Sequence, residues 1–339
     1  GVALVLYLLT ENRVQVALCQ RFFAIWSCMC TAMMGTVLAD YPQERSRGLM
    51  VALSGIANGL GAMTCVLLLS RLPLMFADMG YSTLISGRLT YWTATLLCFI
   101  SAIVVSRGLK GGKPGKSLQR LRLTRLLRDG ARVARTNPRV LVAYLESFVA
   151  RGDLMLISTF FALWASQAGV ASGLTLGEAT RKAGLFMAII QGASLIWAPL
   201  WGFILDRIDR LTAVAIAMGI SGTAYLWAGF SSSPIAASFI PVAVLLGIGE
   251  FSGILAGGAL IGQEAPEDIR GSTVGLYNMC GSAGVLILAV IGGLLFDYWK
   301  PGGPFVVVGV MNLMILLIAV LVRINTGYKS PKGTVSDTP

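Results

Sequence analysis

The chain has 339 residues, of which 55% are hydrophobic and 13% are charged, whereas a soluble domain carries about 25% charged residues. Histidine is absent, and this excludes His-based zinc sites and the Ser-His-Asp or Cys-His centres of many enzymes. We expect no catalytic residue, metal site or cofactor. The net charge of +11 points to nucleic acid or a membrane surface, and its distribution along the chain decides between them.

Apolar runs long enough to cross about 30 Å of hydrocarbon follow one another along the chain. Residues 1–9 are apolar but too short to span, and we interpret them as the end of a further helix. The sequence therefore predicts an all-α membrane protein with nine complete spans and a partial first one. The complete spans are predicted at residues 14–39, 49–69, 86–106, 140–165, 183–205, 211–230, 235–262, 272–296 and 304–324.

The positive charge is concentrated in residues 107–139, where eleven Lys and Arg residues stand against one acid, Asp129. When the loops alternate across the nine spans, 19 cations fall on the side of this segment and six on the other. This asymmetry predicts that the basic segment and the C-terminus are cytoplasmic. The leucines of the segment make it amphipathic, which favours contact with anionic lipid headgroups. It contains no aromatic residue to stack on bases, so nucleic acid is not an expected partner.

Two turns of similar sequence indicate an internal repeat. Residues 42–48 include Arg47 and residues 266–271 include Arg270, and each turn leads into a glycine-rich span. The chain is thus interpreted as two related halves joined by the basic segment. A further loop, Gly202-Phe-Ile-Leu-Asp-Arg-Ile-Asp-Arg210, connects the spans predicted at 183–205 and 211–230.

With these motifs the chain resembles the major facilitator superfamily of secondary transporters, whose loop motif has the form G-x-x-x-D-R-x-G-R. Asp209 stands where that motif has its second glycine. The resemblance implies two pseudo-symmetric helical bundles, of which this chain would supply helices 3–12 of twelve as an N-terminally truncated fragment. The implied organisation is a partial N-terminal bundle at 1–106, a basic cytoplasmic linker at 107–139, a six-helix bundle at 140–325 and a cytoplasmic tail at 326–339.

Ionisable residues at membrane depth are costly and usually face a cavity or each other. The resemblance implies that the spans at 14–39, 140–165 and 235–262 are helices 4, 7 and 10, which line the central cavity of the family. All three carry deep charges, and these are the candidate sites for substrate and proton coupling: Arg21, Glu146, Arg151, Asp153 and Glu250.

The expected roles of these residues follow from their chemistry. Asp153 or Glu250 would take up and release a proton, with Arg21 or Arg151 as its charge partner or as a ligand for an anionic substrate group. A structural ion pair between helices is the alternative. Among uncharged polar residues, Gln191 and Asn278 are candidate cavity contacts, whereas Asn312 is expected to bond a neighbouring helix.

The resemblance also implies a cytoplasmic gate, formed by Gly202, Asp206, Arg207, Arg210, Arg47 and Arg270. Asp206 is expected to meet the N-terminus of the helix that follows Gly271, where the helix dipole favours an anion. Arg207 and Arg210 are expected to pair with nearby acids, namely Glu264, Glu267 or Asp268.

The predicted function is transport of a small solute by alternating access, driven by a proton or solute gradient, by a monomer in the plasma membrane, specifically a bacterial inner membrane. No nucleotide-binding G-x-x-x-x-G-K-[ST] loop is present, so ATP is not the direct drive. The G-P-x-x-G-G run of the family's antiporters is missing from the span at 49–69, which favours symport or uniport over drug/proton antiport. A non-transporting sensor or scaffold with the same fold is the second interpretation. A membrane-embedded enzyme is a third, disfavoured by the short outer loops and the lack of histidine.

Overall fold

The computed structural model describes residues 47–108 and 123–329, together with a few isolated positions before residue 47. Most of the span predicted at 14–39, including Arg21, lies outside the described residues, as does the side chain of Arg47. The chain divides into two compact units, Gly1–Lys116 and Ser117–Pro339. The boundary falls inside the segment that we predicted as a linker.

The described part of the first unit is a pair of helices. Helix α1 (Arg47–Asp78) and helix α2 (Thr83–Gly108) are joined by a short turn in which Gly80 has a φ of 90°. Helix α1 continues past the predicted end at residue 69, through Arg71 and Pro73, because apolar residues resume after Arg71 and extend to Ala77. Proline is tolerated inside membrane helices, where neighbouring groups satisfy the carbonyl that it leaves free.

The second unit is a bundle of six membrane-spanning segments preceded by one amphipathic helix, α3. The first span is continuous but changes its winding, since a π-helical turn at Leu156–Phe161 separates α4 from α5. In this unit α4 packs against α8, α9 and α10, while α7 packs against α8 and α10. The helices are α3 (Leu123–Thr136), α4 (Pro138–Met155), α5 (Ala162–Ala171), α6 (Leu176–Leu205), α7 (Arg210–Phe230), α8 (Ile240–Glu264), α9 (Arg270–Tyr298) and α10 (Gly303–Thr326).

Helix starts in this unit coincide with capping residues. The Asn137 side chain accepts a hydrogen bond from the Arg139 amide, and Pro138 occupies the first helical position of α4, where proline is favoured. Thr175 and Glu178 form a capping box at the start of α6. Asp209 caps α7 by accepting from the Leu211 amide at 3.4 Å. These caps fix where the three helices begin.

Small residues bring the spans close together. A Cβ at Gly247 of α8 would overlap the backbone carbonyl of Ile190 in α6, and Ser194 Oγ donates to the Gly247 carbonyl at 2.8 Å. Such close backbone approach is the usual packing mode of helices in lipid.

Eight segments of the described chain are long and apolar enough to cross a membrane. They correspond to the predicted spans other than 14–39. Their limits are Ala57–Asp78, Thr83–Gly108, Pro138–Ala171, Leu176–Leu205, Arg210–Phe230, Ala237–Glu264, Arg270–Tyr298 and Gly303–Thr326.

Candidate functional site

Three of the predicted site residues lie on α4, but they point to different neighbours. Arg151 and Asp153 are two positions apart, which separates them by about 200° around the helix. Arg151 contacts α9, whereas Asp153 contacts α7 and α10. Arg151 and Asp153 therefore do not pair with each other.

Glu146 of α4 is completely buried and lies against Gly253 and Gly257 of α8. A Cβ on Gly257 would overlap its carboxylate, so the side chain occupies room that only glycine leaves. The Tyr277 hydroxyl lies 3.5 Å from Glu146 Oε2, a long contact. Glu146 Oε1 has no hydrogen-bond partner among the described residues.

Asp153 is 1% exposed and connects three helices. Asn312 Nδ2 of α10 donates to Asp153 Oδ2 at 3.0 Å, and the Tyr225 hydroxyl of α7 donates to the Asp153 backbone carbonyl at 3.0 Å. The expected bond from Asn312 to a neighbouring helix is confirmed. Asp153 Oδ1 has no hydrogen-bond partner within the described part of the chain, so this buried carboxyl is only half satisfied.

Arg151 lies half-buried, with its stem passing over Gly281 of α9. Its Nη2 donates to Asn278 Oδ1 at 2.6 Å, and its guanidinium carbon lies 5.9 Å from the centre of the Tyr277 ring. Across residues 47–108 and 123–329, as far as their side chains are described, no carboxylate lies within 4.0 Å of Arg151. Two predicted contacts, Arg151 and Asn278, are thus brought together without an acid.

Glu250 on α8 is 5% exposed. Its Oε2 atom also lacks a hydrogen-bond partner among the residues the structure describes. Gln191 lies half-buried on α6. The residues beside Gln191 line an apolar cavity of about 380 Å³ between α6 and α8, formed by Ile189, Gly192, Ala193, Ile196, Trp197, Val244 and Ile248.

The predicted gate residues make contacts other than those expected. The Asp206 side chain is 76% exposed and pairs with Arg210, one helical turn later, at 3.2 Å. Arg207 stacks on the Phe203 ring at 3.6 Å. Arg270 is exposed at the start of α9, and Gly202 has open space at its Cβ position. These contacts replace the expected docking of Asp206 on α9.

Glu264, one of the three acids expected to pair with Arg207 or Arg210, has other partners in this structure. Lys329 Nζ lies 3.0 Å from Glu264 Oε2, and Arg139 Nη1 lies 3.5 Å from Glu264 Oε1. Asn137 Nδ2 also donates to Glu264 Oε2 at 3.0 Å.

A buried charge cluster escaped the sequence analysis. Asp209 accepts from Arg139 Nη1 at 3.0 Å and lies 2.7 Å from Arg323 Nε, and its side chain is completely buried. Arg139 also donates to the Gly327 carbonyl at 2.6 Å. The cluster therefore joins the ends of α4, α7, α8 and α10 at one end of the bundle. The signal in the sequence was the acid at position 209, in place of the motif's glycine and directly before a helix.

Comparison with known proteins identifies a family and several relatives. A family model described as Major Facilitator Superfamily matches residues 147–337. The chain is 28% identical over 183 residues to magnetosome protein MamH of Paramagnetospirillum magneticum, covering 54% of this chain and 42% of that protein. It is 27% identical over 202 residues to the staphyloferrin B transporter of Staphylococcus aureus, covering 59% and 46%. The chain therefore spans less than half the length of these relatives.

Two solved transporter structures share the fold. FucP, in its outward conformation, superposes with a TM-score of 0.57 at 16% identity, covering 94% of this chain and 80% of that chain. A bacterial homologue of the human lysosomal transporter Spinster, inward-facing and unoccupied, gives a TM-score of 0.59 at 14% identity, covering 95% and 80%.

Proposed function

Since the chain belongs to the major facilitator superfamily of membrane transporters, we propose that the protein moves a small solute across the membrane by alternating access. We further propose that a proton or solute gradient drives this movement, as symport or uniport, in a monomer at the plasma membrane. Its basic segment and C-terminus would face the cytoplasm.

The observation that supports coupling is the group of three buried acids, Glu146, Asp153 and Glu250. Each has a carboxylate oxygen without a hydrogen-bond partner among the described residues, and none of the three has a cation within 4.0 Å there. A carboxylate held away from water and cations costs much free energy, and a protonated one costs far less. Exchange of a proton with these acids would therefore accompany a conformational cycle that changes their access to water.

The group that would contact substrate is Arg151 with Asn278. Arg151 is only half-buried and Asn278 is exposed, so both can reach a solute. A guanidinium binds carboxylate or phosphate oxygens in bidentate geometry. We therefore propose a solute that carries an anionic group, with Gln191 and Arg21 as further candidate contacts. The staphyloferrin B transporter among the relatives supports a small organic molecule.

We propose that the residues predicted from the sequence as a cytoplasmic gate serve this role. Gly202, Asp206, Arg207, Arg210, Arg47 and Arg270 remain candidates for contacts that form when the cytoplasmic side closes. In the present structure Asp206 pairs with Arg210 one helical turn later, and its side chain stays exposed and able to accept a second partner.

The test is uptake of labelled solutes into proteoliposomes that hold the full-length protein, with and without an imposed pH gradient. The panel would contain carboxylates, sugars, amino acids, peptides and lipophilic cations. We expect gradient-driven accumulation of an anionic member, lost in Asp153→Asn. The matched control is Glu178→Gln, an exposed acid whose amide can still close the capping box. No gradient-dependent uptake of any member would favour the sensor or scaffold interpretation, and export of a cationic drug would favour antiport.

A further inference from the structure

Helix α3 has two chemically different faces. Gly130 and Val133 are buried, whereas Arg128, Arg132 and Arg135 are exposed. The arginines are spaced by four and three residues, so at 100° per residue they lie within about 60° of one another on the side opposite the buried pair. No acid within the described ranges lies within 4.0 Å of these three side chains.

The buried face of α3 packs against α4 and α9. The Tyr144 hydroxyl of α4 lies 3.3 Å from the Gly130 carbonyl and 3.2 Å from the Thr273 carbonyl of α9. A Cβ on Gly130 would overlap the Leu276 side chain, so α3 and α9 are in close contact at this glycine. These contacts hold the middle of α3 beside the first turns of two membrane-spanning helices.

Chain connectivity places α3 at the same end of the bundle. Helix α3 ends at Thr136 and the membrane span begins at Pro138. Two residues of chain reach about 7 Å at most, so the end of α3 stays beside the first turn of α4. The segment Pro138–Ala171 is longer than the hydrocarbon is thick, so its end reaches into the headgroup layer. An amphipathic helix in this position presents its polar face to the headgroup layer.

We propose that Arg128, Arg132 and Arg135 form a binding surface for the phosphate groups of anionic phospholipids in the adjoining leaflet. Guanidinium groups pair with phosphate in bidentate geometry, and the cytoplasmic leaflet carries a negative surface potential. Bound lipid would reinforce the docking of α3 on α4 and α9, which the contacts of the Tyr144 hydroxyl already support. A membrane rather than an acidic protein is the partner because connectivity keeps this helix at the bilayer surface. This inference does not depend on the proposed transport activity.

The experiment measures lipid retention by native mass spectrometry of the full chain purified in neutral detergent. Dioleoyl-phosphatidylglycerol is titrated against dioleoyl-phosphatidylcholine. We expect preferential retention of the anionic lipid and a loss of affinity in the triple variant Arg128→Gln, Arg132→Gln, Arg135→Gln. Each arginine should contribute about fivefold, and the three together on the order of a hundredfold.

Control variants test whether binding depends on these three arginines rather than on the overall positive charge of the protein. The triple lysine variant keeps the charge but loses the bidentate geometry, so its affinity should lie between those of the wild type and the glutamine variant. Added salt should weaken binding to the wild type. The variant Arg181→Gln, Lys182→Gln removes exposed cations at the start of α6, at the opposite end of the bundle, and should behave as the wild type. An unchanged thermal unfolding midpoint confirms that the glutamine variant is folded. Equal retention of the anionic lipid by wild type and glutamine variant, the outcome expected if this face served an acidic protein, would overturn the proposal.

Discussion

The Arg139 guanidinium and the Asp209 carboxylate face each other in bidentate geometry, with Nη1–Oδ1 at 3.0 Å and Nη2–Oδ2 at 3.3 Å. The pair joins the first turn of α4 to the residue that caps α7. Arg323 of α10 reaches the second oxygen of Asp209. One acid at the motif's glycine position therefore holds together the starts of two spans and the end of a third.

Replacing Asp209 by the motif's glycine should destabilise the bundle. The substitution Asp209→Gly leaves the largely buried Arg139 without its main acid, and removing one partner of a buried pair costs about 3–5 kcal/mol. The free energy of unfolding in detergent is the measurement. Asp206→Asn, at a 76% exposed side chain, should change it by less than about 0.5 kcal/mol. Equal stability of the two variants would show that the cluster does not stabilise this end of the bundle.

Gly257 should be much less tolerant than Gly258 of an added methyl group. A Cβ at Gly257 overlaps the buried Glu146 carboxylate, whereas Gly258 faces open space. Overpacking of this kind costs about 1–3 kcal/mol. We therefore expect Gly257→Ala to lower the unfolding midpoint in detergent, with Gly258→Ala as the matched control. Similar midpoints for the two alanine variants would mean that Glu146 does not need the room at Gly257.

The spans could be located from the sequence because the thickness of the hydrocarbon layer sets how long an apolar run must be to cross it. It also found the deep charges, since an acid such as Asp153 stands out in an apolar run. Residue spacing separated Arg151 from Asp153 around the helix. Residue spacing could not predict that Arg151 contacts Asn278 and that Asp153 contacts Asn312. The order of the helices around α4 depends on the tertiary fold.

Two further features lay beyond pattern reasoning for physical reasons. The π-helical turn at Leu156–Phe161 changes the residue count per turn, so a face drawn at 100° per residue cannot be continued past it. The pairing of Arg139 with Asp209 joins residues far apart in sequence. The motif comparison marked position 209 only as a departure from the family pattern.

The bond between Asp153 and Asn312 should appear as an energetic coupling. Asn312→Leu removes the donor at 3.0 Å and leaves a buried carboxyl unsatisfied, which costs about 1–3 kcal/mol. In the double variant with Asp153→Leu both polar groups are gone, so the total cost should fall below the sum of the single costs. A double-mutant cycle on the free energy of unfolding measures this coupling, which for two residues in direct contact should reach about 0.5 kcal/mol or more.

A distant pair provides the reference for that cycle. Asn312→Leu combined with Glu178→Gln should be additive within about 0.5 kcal/mol, because these residues share no partner. Additivity of the Asp153 and Asn312 substitutions as well would mean that their contact contributes nothing to stability.

The docking of α3 should depend on the Tyr144 hydroxyl. Tyr144→Phe removes the contacts to the Gly130 and Thr273 carbonyls and keeps the ring. Loss of one such hydrogen bond, worth about 1 kcal/mol, should speed amide hydrogen exchange in α3 by about fivefold, while exchange in α7 stays as in the wild type. Tyr298→Phe, at an 87% exposed side chain, is the matched control and should alter neither helix. Unchanged exchange in α3 of the Tyr144 variant would show that packing of Gly130 and Val133 alone holds the helix on the bundle.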